Sequence, residues 1–361
     1  MAITLETRTP LWTGGVGNKA DKIHSIGVIG SLRWWYEAIW RGMGVNVCDP
    51  TNNPCKLNNE GFLELVRNRV APAEAAGQSG LCPACQLFGA TGWARQFRLK
   101  IEDSTLLEPS HVPMATTDEP SKNIQRLNHK MKHPRYFYPE GRIGKFEIEI
   151  IPCSRTFQPN IILGLLKLIE AHGSLTSKGQ LGYGSVAFEP PLSFDASAFL
   201  QNVFLGRMPA VQPDDGLPNL RYMFFAEYEL FLNDDLQTLT NLKFDLRQAF
   251  RSGPSSIAKA FDSAKRADLR HHLLGTIKSG KTEGAKIFLS RIRDHQIRVW
   301  GWISEKNLNS FGVSRDEVVN HLQAELNKNS KNDRPSKWRE FNSTRDALRT
   351  ANYLDYLKSL F

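Results

Sequence analysis

Four of the five cysteines fall into two pairs whose spacing suits metal binding. Cys82 and Cys85 lie in the segment CPAC, and Cys48 and Cys55 stand at the two ends of CDPTNNPC. Zinc in structural sites takes four thiolates in a tetrahedron, and a Cys-Pro-Ala-Cys turn presents two sulfurs together. The first pair is spaced more widely than a standard knuckle, so separate free thiols are the alternative. We predict one structural zinc ion held by all four cysteines.

The segment SIGVIGSLRWWYEAIWRG, residues 25–42, combines groups that suit a nucleic-acid strand. Its glycines lack a Cβ and allow close approach, and a helix start presents unpaired amide groups to a phosphate. Arginines pair with phosphates, and a tryptophan beside the apolar stripe can stack on a base. The alternative is a capped core helix with solvated arginines. The residues of this segment that we predict to bind RNA are Gly30, Ser31, Arg33, Trp34 and Arg41.

A second glycine-rich segment, GSLTSKGQLGYG at residues 173–184, follows a predicted helix. Its amides can turn outward to hold a polyanion, although the order of residues is not that of a P-loop. A plain turn between helix and strand is the alternative. The residues predicted to bind RNA here are Lys178, Gly179, Gly182, Tyr183 and Gly184.

A long basic insertion, at about residues 104–142, separates two predicted strands. Its cations run into three consecutive aromatic residues, an order that suits single-stranded nucleic acid because the backbone needs charge and the bases need stacking partners. A solvated loop is the alternative. Of its cations, we predict that Lys130, Lys132 and Arg135 bind RNA.

The elements that position these segments follow a recognisable order. In residues 1–205 the patterning predicts strand, helix, strand, strand, helix, strand, which is the ferredoxin-like plan. The patterning of residues 206–361 predicts a second, less regular domain that ends in helices. A Pro- and Asp-rich stretch at 212–219, near its start, is typical of a linker. We therefore expect an α+β protein with two ferredoxin-like (RRM-like, βαββαβ) domains and insertions.

Bulk properties narrow the class of protein. The 361 residues are 41% hydrophobic and carry a formal net charge of +9, a surplus that attracts polyanions such as nucleic acid. No window approaches the run of about 18 apolar residues that a membrane span requires. The N-terminus alternates like a strand and lacks the features of a secretory signal, so we expect a cytoplasmic protein without disulfide bonds.

Residues suited to catalysis are scattered. His24 and His129 are candidate acid/base groups for RNA cleavage, and Asp21 lies in a glycine-rich loop, yet none has a partner at a telling spacing. We predict no catalytic residue. A metal-independent endoribonuclease that processes guide RNA precursors remains the alternative.

Four motifs carry a family resemblance: TPLWTGG, IGSLRWWYEAI, CPACQLFGATGWARQFR and GQLGYGSV. Together they resemble the RAMP superfamily of CRISPR proteins, and within it the first-subunit family of type III-B Cmr complexes. The resemblance implies two ferredoxin-like domains and a place in an RNA-guided effector of antiviral defence. There the chain would hold the 3′-distal part of the guide RNA, contact target RNA and bind other Cmr subunits.

The resemblance also bears on single residues. Gly30, Ser31 and Arg33 match the family's helix-start contact with RNA, and the motif containing Arg95 and Arg98 adds these two arginines to the RNA-binding set. The glycine-rich loop at 179–184 matches as well. RAMP subunits that cut target RNA carry an aspartate in a longer loop after the first strand. Because that loop is short here, the resemblance implies a subunit that does not cleave.

Overall fold

The structure is a computed structural model. It describes residues 1–115, 136–204, 207–210, 212–231, 236–252, 263–278, 281–293 and 295–361. Lys130, Lys132 and Arg135, which were predicted to bind RNA, lie outside the described residues, so their role stays a prediction.

The first half of the chain alternates strands and helices around one antiparallel sheet. Its elements are β1 Ala2–Thr7, α1 Ser25–Gly42, α2 Asn59–Arg67, α3 Pro72–Gln78, α4 Pro83–Phe88, β2 Phe97–Asp103, β3 Leu106–Glu108, β4 Gly141–Ile143, β5 Lys145–Pro152, α5 Pro159–His172, β6 Val186–Phe188 and α6 Ala196–Phe204. The four main strands stand in the order β2-β5-β1-β6, with α1 between the first two in sequence and α5 between the last two.

The second half contains the remaining elements. They are β7 Met223–Glu229, α7 Leu236–Ser252, α8 Ser263–Leu274, β8 Thr276–Lys278, β9 Lys281–Glu283, β10 Ile287–Arg293, β11 Gln296–Trp302, α9 Glu305–Leu308, α10 Arg315–Asn327, β12 Lys337–Glu340 and α11 Tyr353–Lys358. The second four-stranded sheet has the order β10-β11-β7-β12. Numbered by their order along each half, the strands of both sheets are arranged 2-3-1-4. The prediction of an α+β protein is confirmed.

Local patterns explain the elements that surround the site. In β5 the apolar residues alternate with glutamates, and Phe146, Ile148 and Ile150 are buried while the other face stays open. Along α1, Leu32, Trp35 and their successors at helical spacing are buried, which confirms the predicted apolar stripe. The two ends of the basic insertion pair with each other as strands β3 and β4, which the sequence patterning did not predict.

The two halves share a hydrophobic core. The Trp35 ring of α1 lies 6.2 Å from Phe225 of β7 and 5.2 Å from Trp300 of β11, measured between ring centroids. The last helix returns to the first half, where the Tyr353 hydroxyl donates to the Ile39 carbonyl at 2.7 Å. The predicted division into residues 1–205 and 206–361 stays a prediction, and the shared core shows that these two parts pack tightly.

None of the helices in the described ranges is both long enough and apolar enough to cross a lipid bilayer.

Candidate functional site

A cavity of about 1050 Å³ opens between the two halves of the chain. We call it the cleft. The first turns of α1 and the loop after α5 form its wall on the side of the first half. Five predicted residues line it, namely Gly30, Ser31, Trp34, Lys178 and Gly179. The structure therefore brings together parts of two segments that lie far apart in the sequence.

Gly30 leaves the backbone of α1 open to the cleft. A Cβ built on Gly30 would meet nothing within 4 Å, and the residue is exposed. Gly27 differs, because a Cβ there would lie 2.9 Å from the Cβ of Thr13, so packing accounts for this glycine. A glycine inside a helix costs roughly 0.5–1 kcal/mol relative to alanine. Packing within the described structure therefore does not require a glycine at position 30.

The loop at 174–184 presents its first half to the cleft in a strained conformation. Thr176 and Lys178 both have positive φ angles, 69° and 66°. The Lys178 ammonium lies 4.5 Å from the centre of the Trp12 ring, a cation–π arrangement. Trp12 also lines the cleft, and it belongs to the TPLWTGG motif, although its role was not predicted.

The second half supplies the opposite wall, with Trp302 and Gly284 among its residues. A Cβ on Gly284 would also meet nothing within 4 Å. The Lys286 ammonium donates to Glu283 Oε1 at 3.1 Å, and burial lowers the pKa of Lys286. His272 contacts the same carboxylate oxygen at 2.6 Å. Sequence reasoning missed this wall, because no periodic pattern shows which strand ends face α1.

The last part of the glycine-rich loop packs inside the protein. Tyr183 is buried, and its hydroxyl donates to the Pro139 carbonyl. A Cβ on Gly182 would lie 2.7 Å from the Leu289 carbonyl oxygen, and one on Gly184 would lie 2.3 Å from that of Leu175. These three residues therefore serve close packing in the structure, which places none of them on the wall of the cleft.

Arg95 and Arg98 also lie away from the cleft. Arg95 precedes β2, and its side chain contacts the first residue of that strand: Nε donates to the Phe97 carbonyl at 2.8 Å, and the guanidinium lies 5.6 Å from the centre of the Phe97 ring. Arg98 is an exposed residue of β2. Their predicted contact with RNA stays a prediction at a surface separate from the cleft.

The four paired cysteines form one cluster, and the Cys48–Cys55 segment owes its shape to a turn. The Asp49 carboxylate accepts from the Thr51 amide at 2.9 Å and from the Asn52 side chain at 2.6 Å, and the Asn53 amide donates to the Asp49 carbonyl at 2.9 Å. This Asx turn folds the wide spacing back on itself, so that both ends of the segment meet.

Cys82 and Cys85 bring the second pair of sulfurs to the same point at the start of α4. All four Sγ atoms lie within 4.8 Å of one another. Cys48 Sγ lies 3.5 Å from Cys85 Sγ and 3.7 Å from Cys82 Sγ. A tetrahedron with Zn–S bonds of about 2.3 Å has sulfurs about 3.8 Å apart. The cluster is therefore one that a metal ion of this size fits.

The protonation of the cluster reflects its crowding. The hydrogen bond with the Cys85 thiol lowers the pKa of Cys82 to about 4, while burial raises the pKa of Cys55 to about 11. Crowded sulfurs share their protons so that one carries the charge and its neighbours stay neutral. A metal ion takes the place of these protons, so its binding is coupled to proton release.

A row of charged residues on α1 faces the cysteine cluster and the interior. Arg33 Nε donates to Glu37 Oε1 at 2.8 Å, and Arg41 Nη2 lies 3.6 Å from the other carboxylate oxygen. Arg41 is buried and also donates to the carbonyls of Cys48 and Pro218. Burial raises the pKa of Glu37 against the effect of both arginines. Neither Arg33 nor Arg41 lines the cleft, and their predicted contact with RNA stays a prediction.

The fold and the site define a class of protein: an α+β protein with two antiparallel sheets that have the same strand order, and with a cleft between its two halves. The RAMP superfamily model matches residues 4–187, which is half of the chain. The chain belongs to the RAMP superfamily, as its motifs predicted. No curated protein matches it.

Among solved structures, the chain is similar to Cmr1 from Pyrococcus furiosus in its apo form, with 14% sequence identity over 84% of this chain and 87% of that chain and a TM-score of 0.40. A chain of the type III-B Cmr-beta complex bound to cognate target RNA is 11% identical over 84% of this chain and 94% of that chain, with a TM-score of 0.42. The family assignment rests on the family model.

Proposed function

We propose that this chain is a non-catalytic RNA-binding subunit of a type III-B CRISPR (Cmr) effector complex, where it holds the 3′-distal part of the guide RNA and contacts target RNA. Membership of the RAMP superfamily and the four motifs given above support this proposal. The partners are the two RNAs and other Cmr subunits, and the setting is the cytoplasm. We also propose that each half has a ferredoxin-like fold. The two sheets have the same strand order, which supports this proposal.

The observation that carries RNA binding is the composition of the cleft. Gly30 and Gly284 leave backbone exposed on its two walls, and Trp12 and Trp302 also line it. Lys178 adds a cation against the Trp12 ring. A single strand needs this combination, because bases stack on aromatic faces while the sugar-phosphate chain needs close approach and positive charge.

The four-cysteine cluster is proposed to hold a structural zinc ion. The distances between the sulfurs support it, and Cys48, Cys55, Cys82 and Cys85 would supply all four ligands. With four protein ligands no position remains open for a water molecule, so the ion would crosslink the segment after α1 to the start of α4.

Substituting Gly30 tests the RNA proposal. Gly30→Ala fills open space beside the cleft and removes a helix-weakening glycine, so the free energy of unfolding is expected to rise by about 0.5–1 kcal/mol. Affinity for fluorescein-labelled single-stranded RNA is expected to fall about tenfold, which corresponds to about 1.4 kcal/mol. Fluorescence anisotropy in a series of salt concentrations measures affinity, and urea denaturation measures stability.

Gly77→Ala is the matched control, since Gly77 also lies in a helix and its Cβ would meet only the end of the Gln86 side chain. It should leave RNA affinity unchanged. Equal RNA affinity for Gly30→Ala and wild type would contradict the proposal, as would an affinity that does not depend on salt. Cleavage of repeat RNA by the purified chain in EDTA would favour the endoribonuclease alternative instead.

A further inference from the structure

Arg33 stands out because every nitrogen of its guanidinium has a protein partner. Nη2 donates to Cys85 Sγ at 3.2 Å, Nη1 donates to the Gly89 carbonyl at 3.1 Å, and Nε donates to Glu37 at 2.8 Å. Only 20% of the side chain is exposed. These bonds engage three of the five N–H groups of the guanidinium and hold it against the cysteine cluster and not in the cleft.

The position of Arg33 places a positive charge directly against the cysteine cluster. Four thiolates around a divalent cation carry two negative charges in excess, and a half-buried site has little water to solvate them. Hydrogen bonds from outside the ligand set stabilise metal-bound ligands and fix their orientation. Charge-assisted bonds of this kind are about twice as strong as neutral ones.

The bonds of Arg33 also connect three separate parts of the site. The side chain starts on α1, reaches a cysteine of α4 and ends on the carbonyl of Gly89, which follows α4. Glu37, one turn further along α1, accepts from Nε and so aims the guanidinium at the cluster. A lysine has the charge but a single nitrogen, which cannot serve three acceptors in one plane.

We propose that Arg33 is a positioning residue of the metal centre: its guanidinium stabilises the Cys85 thiolate toward a bound zinc ion and ties α1 to α4, and it does not bind RNA phosphate. The proposal rests on the zinc site put forward above. It reassigns a residue that the sequence placed at the RNA contact.

The test compares zinc affinity and RNA affinity in the same full-length variants. Arg33→Met is expected to weaken zinc binding about 10–100-fold, measured by competition with a chromogenic chelator. Arg33→Lys keeps the charge and should fall between Arg33→Met and wild type. Arg67→Met, which removes an exposed arginine at the end of α2, is the matched control and should bind zinc and RNA like wild type.

Cobalt provides a readout that does not depend on RNA. Wild type loaded with Co²⁺ should show sulfur-to-metal charge-transfer absorption together with the visible bands of a tetrahedral site, and Arg33→Met should shift these bands and weaken cobalt binding. With zinc at saturating concentration, Arg33→Met should keep the RNA affinity and the salt dependence of wild type. Should Arg33→Met fail to fold, the same measurements on Arg33→Lys decide the matter.

Two results would overturn the inference. One is unchanged zinc affinity in Arg33→Met together with weaker RNA binding and a salt slope smaller by about one phosphate contact, which would make Arg33 a phosphate ligand. The other is a wild-type chain that binds neither zinc nor cobalt, which would remove the metal site as well. Neither result bears on Gly30, so RNA binding at the cleft is judged separately.

Discussion

Lys243 is a buried cation. It lies on α7, its ammonium is 3.5 Å from the Tyr138 hydroxyl, and it lies 5.2 Å from the centre of the Tyr138 ring. Burial lowers the pKa of Lys243 to about 7. Since the unfolded chain keeps this proton up to a pH of about 10.4, the two states bind different numbers of protons above pH 7.

Stability is therefore expected to rise with pH above 7. Between pH 7 and 9 the unfolded state binds more protons at this position, so the free energy of unfolding increases by up to about 1.4 kcal/mol per pH unit. Below pH 7 both states are protonated and this contribution is constant. Urea denaturation at a series of pH values measures the effect as the difference between wild type and Lys243→Met.

The exposed Lys22 provides the control for Lys243, and Lys22→Met should follow the wild-type pH profile. A constant stability difference between wild type and Lys243→Met from pH 6 to pH 9 would show that Lys243 keeps its proton in the folded state. The neighbouring Tyr138 does not interfere in this range, because burial raises the pKa of its hydroxyl.

At the scale of elements, the loop after α5 is held in its shape by bonds on both sides of Thr176. The Leu175 amide donates to the Gly184 carbonyl at 2.8 Å, and the Ser177 amide donates to the Trp12 carbonyl at 3.2 Å. Between them Thr176 adopts a φ of 69°, which β-branched residues rarely take. Its hydroxyl oxygen is buried and has no hydrogen-bond partner among the described residues.

Thr176→Gly is expected to stabilise the protein by about 1 kcal/mol. It relieves backbone strain of roughly 1–3 kcal/mol and removes the unpaired hydroxyl, while the added freedom of the unfolded chain takes back roughly 0.5–1 kcal/mol. Chemical denaturation measures the gain. Ser177→Gly, at the adjacent position without a positive φ, should lower stability slightly. A loss of stability in Thr176→Gly would mean that the threonine is not strained.

The strained backbone of this loop supports a functional role for the cleft, because strained residues are concentrated at functional sites. Thr176 and Lys178 line the cleft, and their unusual backbone aims the loop at α1. The later glycines of the same loop have positive φ angles as well, but they serve packing against β10 and the start of the loop. One loop thus combines an open half and a packed half.

At the scale of the whole molecule, the shared core predicts that both halves unfold together. Trp300 of the second half is buried and contacts Trp34 and Trp35 of α1 at centroid distances of 6.0 and 5.2 Å. Arg298 Nη1 also donates to the Gly173 carbonyl across the same boundary, at 3.2 Å. Because these buried contacts join the two halves, we expect the halves to unfold as one cooperative unit.

Trp300→Ala should therefore destabilise the first half as well as the second. Removing a buried tryptophan is expected to lower the free energy of unfolding by about 3–5 kcal/mol. Hydrogen exchange measured by mass spectrometry should show faster exchange in α1 and α5 as well as in β11. Unchanged protection of α1 would contradict a single cooperative unit and favour two independently folding domains.

The sequence by itself determined the parts of the molecule that depend on local repetition. The apolar stripe of α1, the alternation of β5 and the alternation of β2 each follow from a period that one element imposes. The CPAC turn likewise brings two sulfurs together within four residues. These features need no knowledge of the neighbours, because each is set by the geometry of one helix, strand or turn.

The tertiary structure alone decided which faces meet. Helical spacing puts Arg33 and Arg41 on one face of α1, but it does not show that this face meets the cysteine cluster. In the same way, glycines at 179–184 indicate a loop, whereas only the tertiary structure shows that Gly179 lines the cleft and Gly182 does not. Periodicity defines a face within an element, and the choice of its neighbour depends on contacts between residues far apart in the chain.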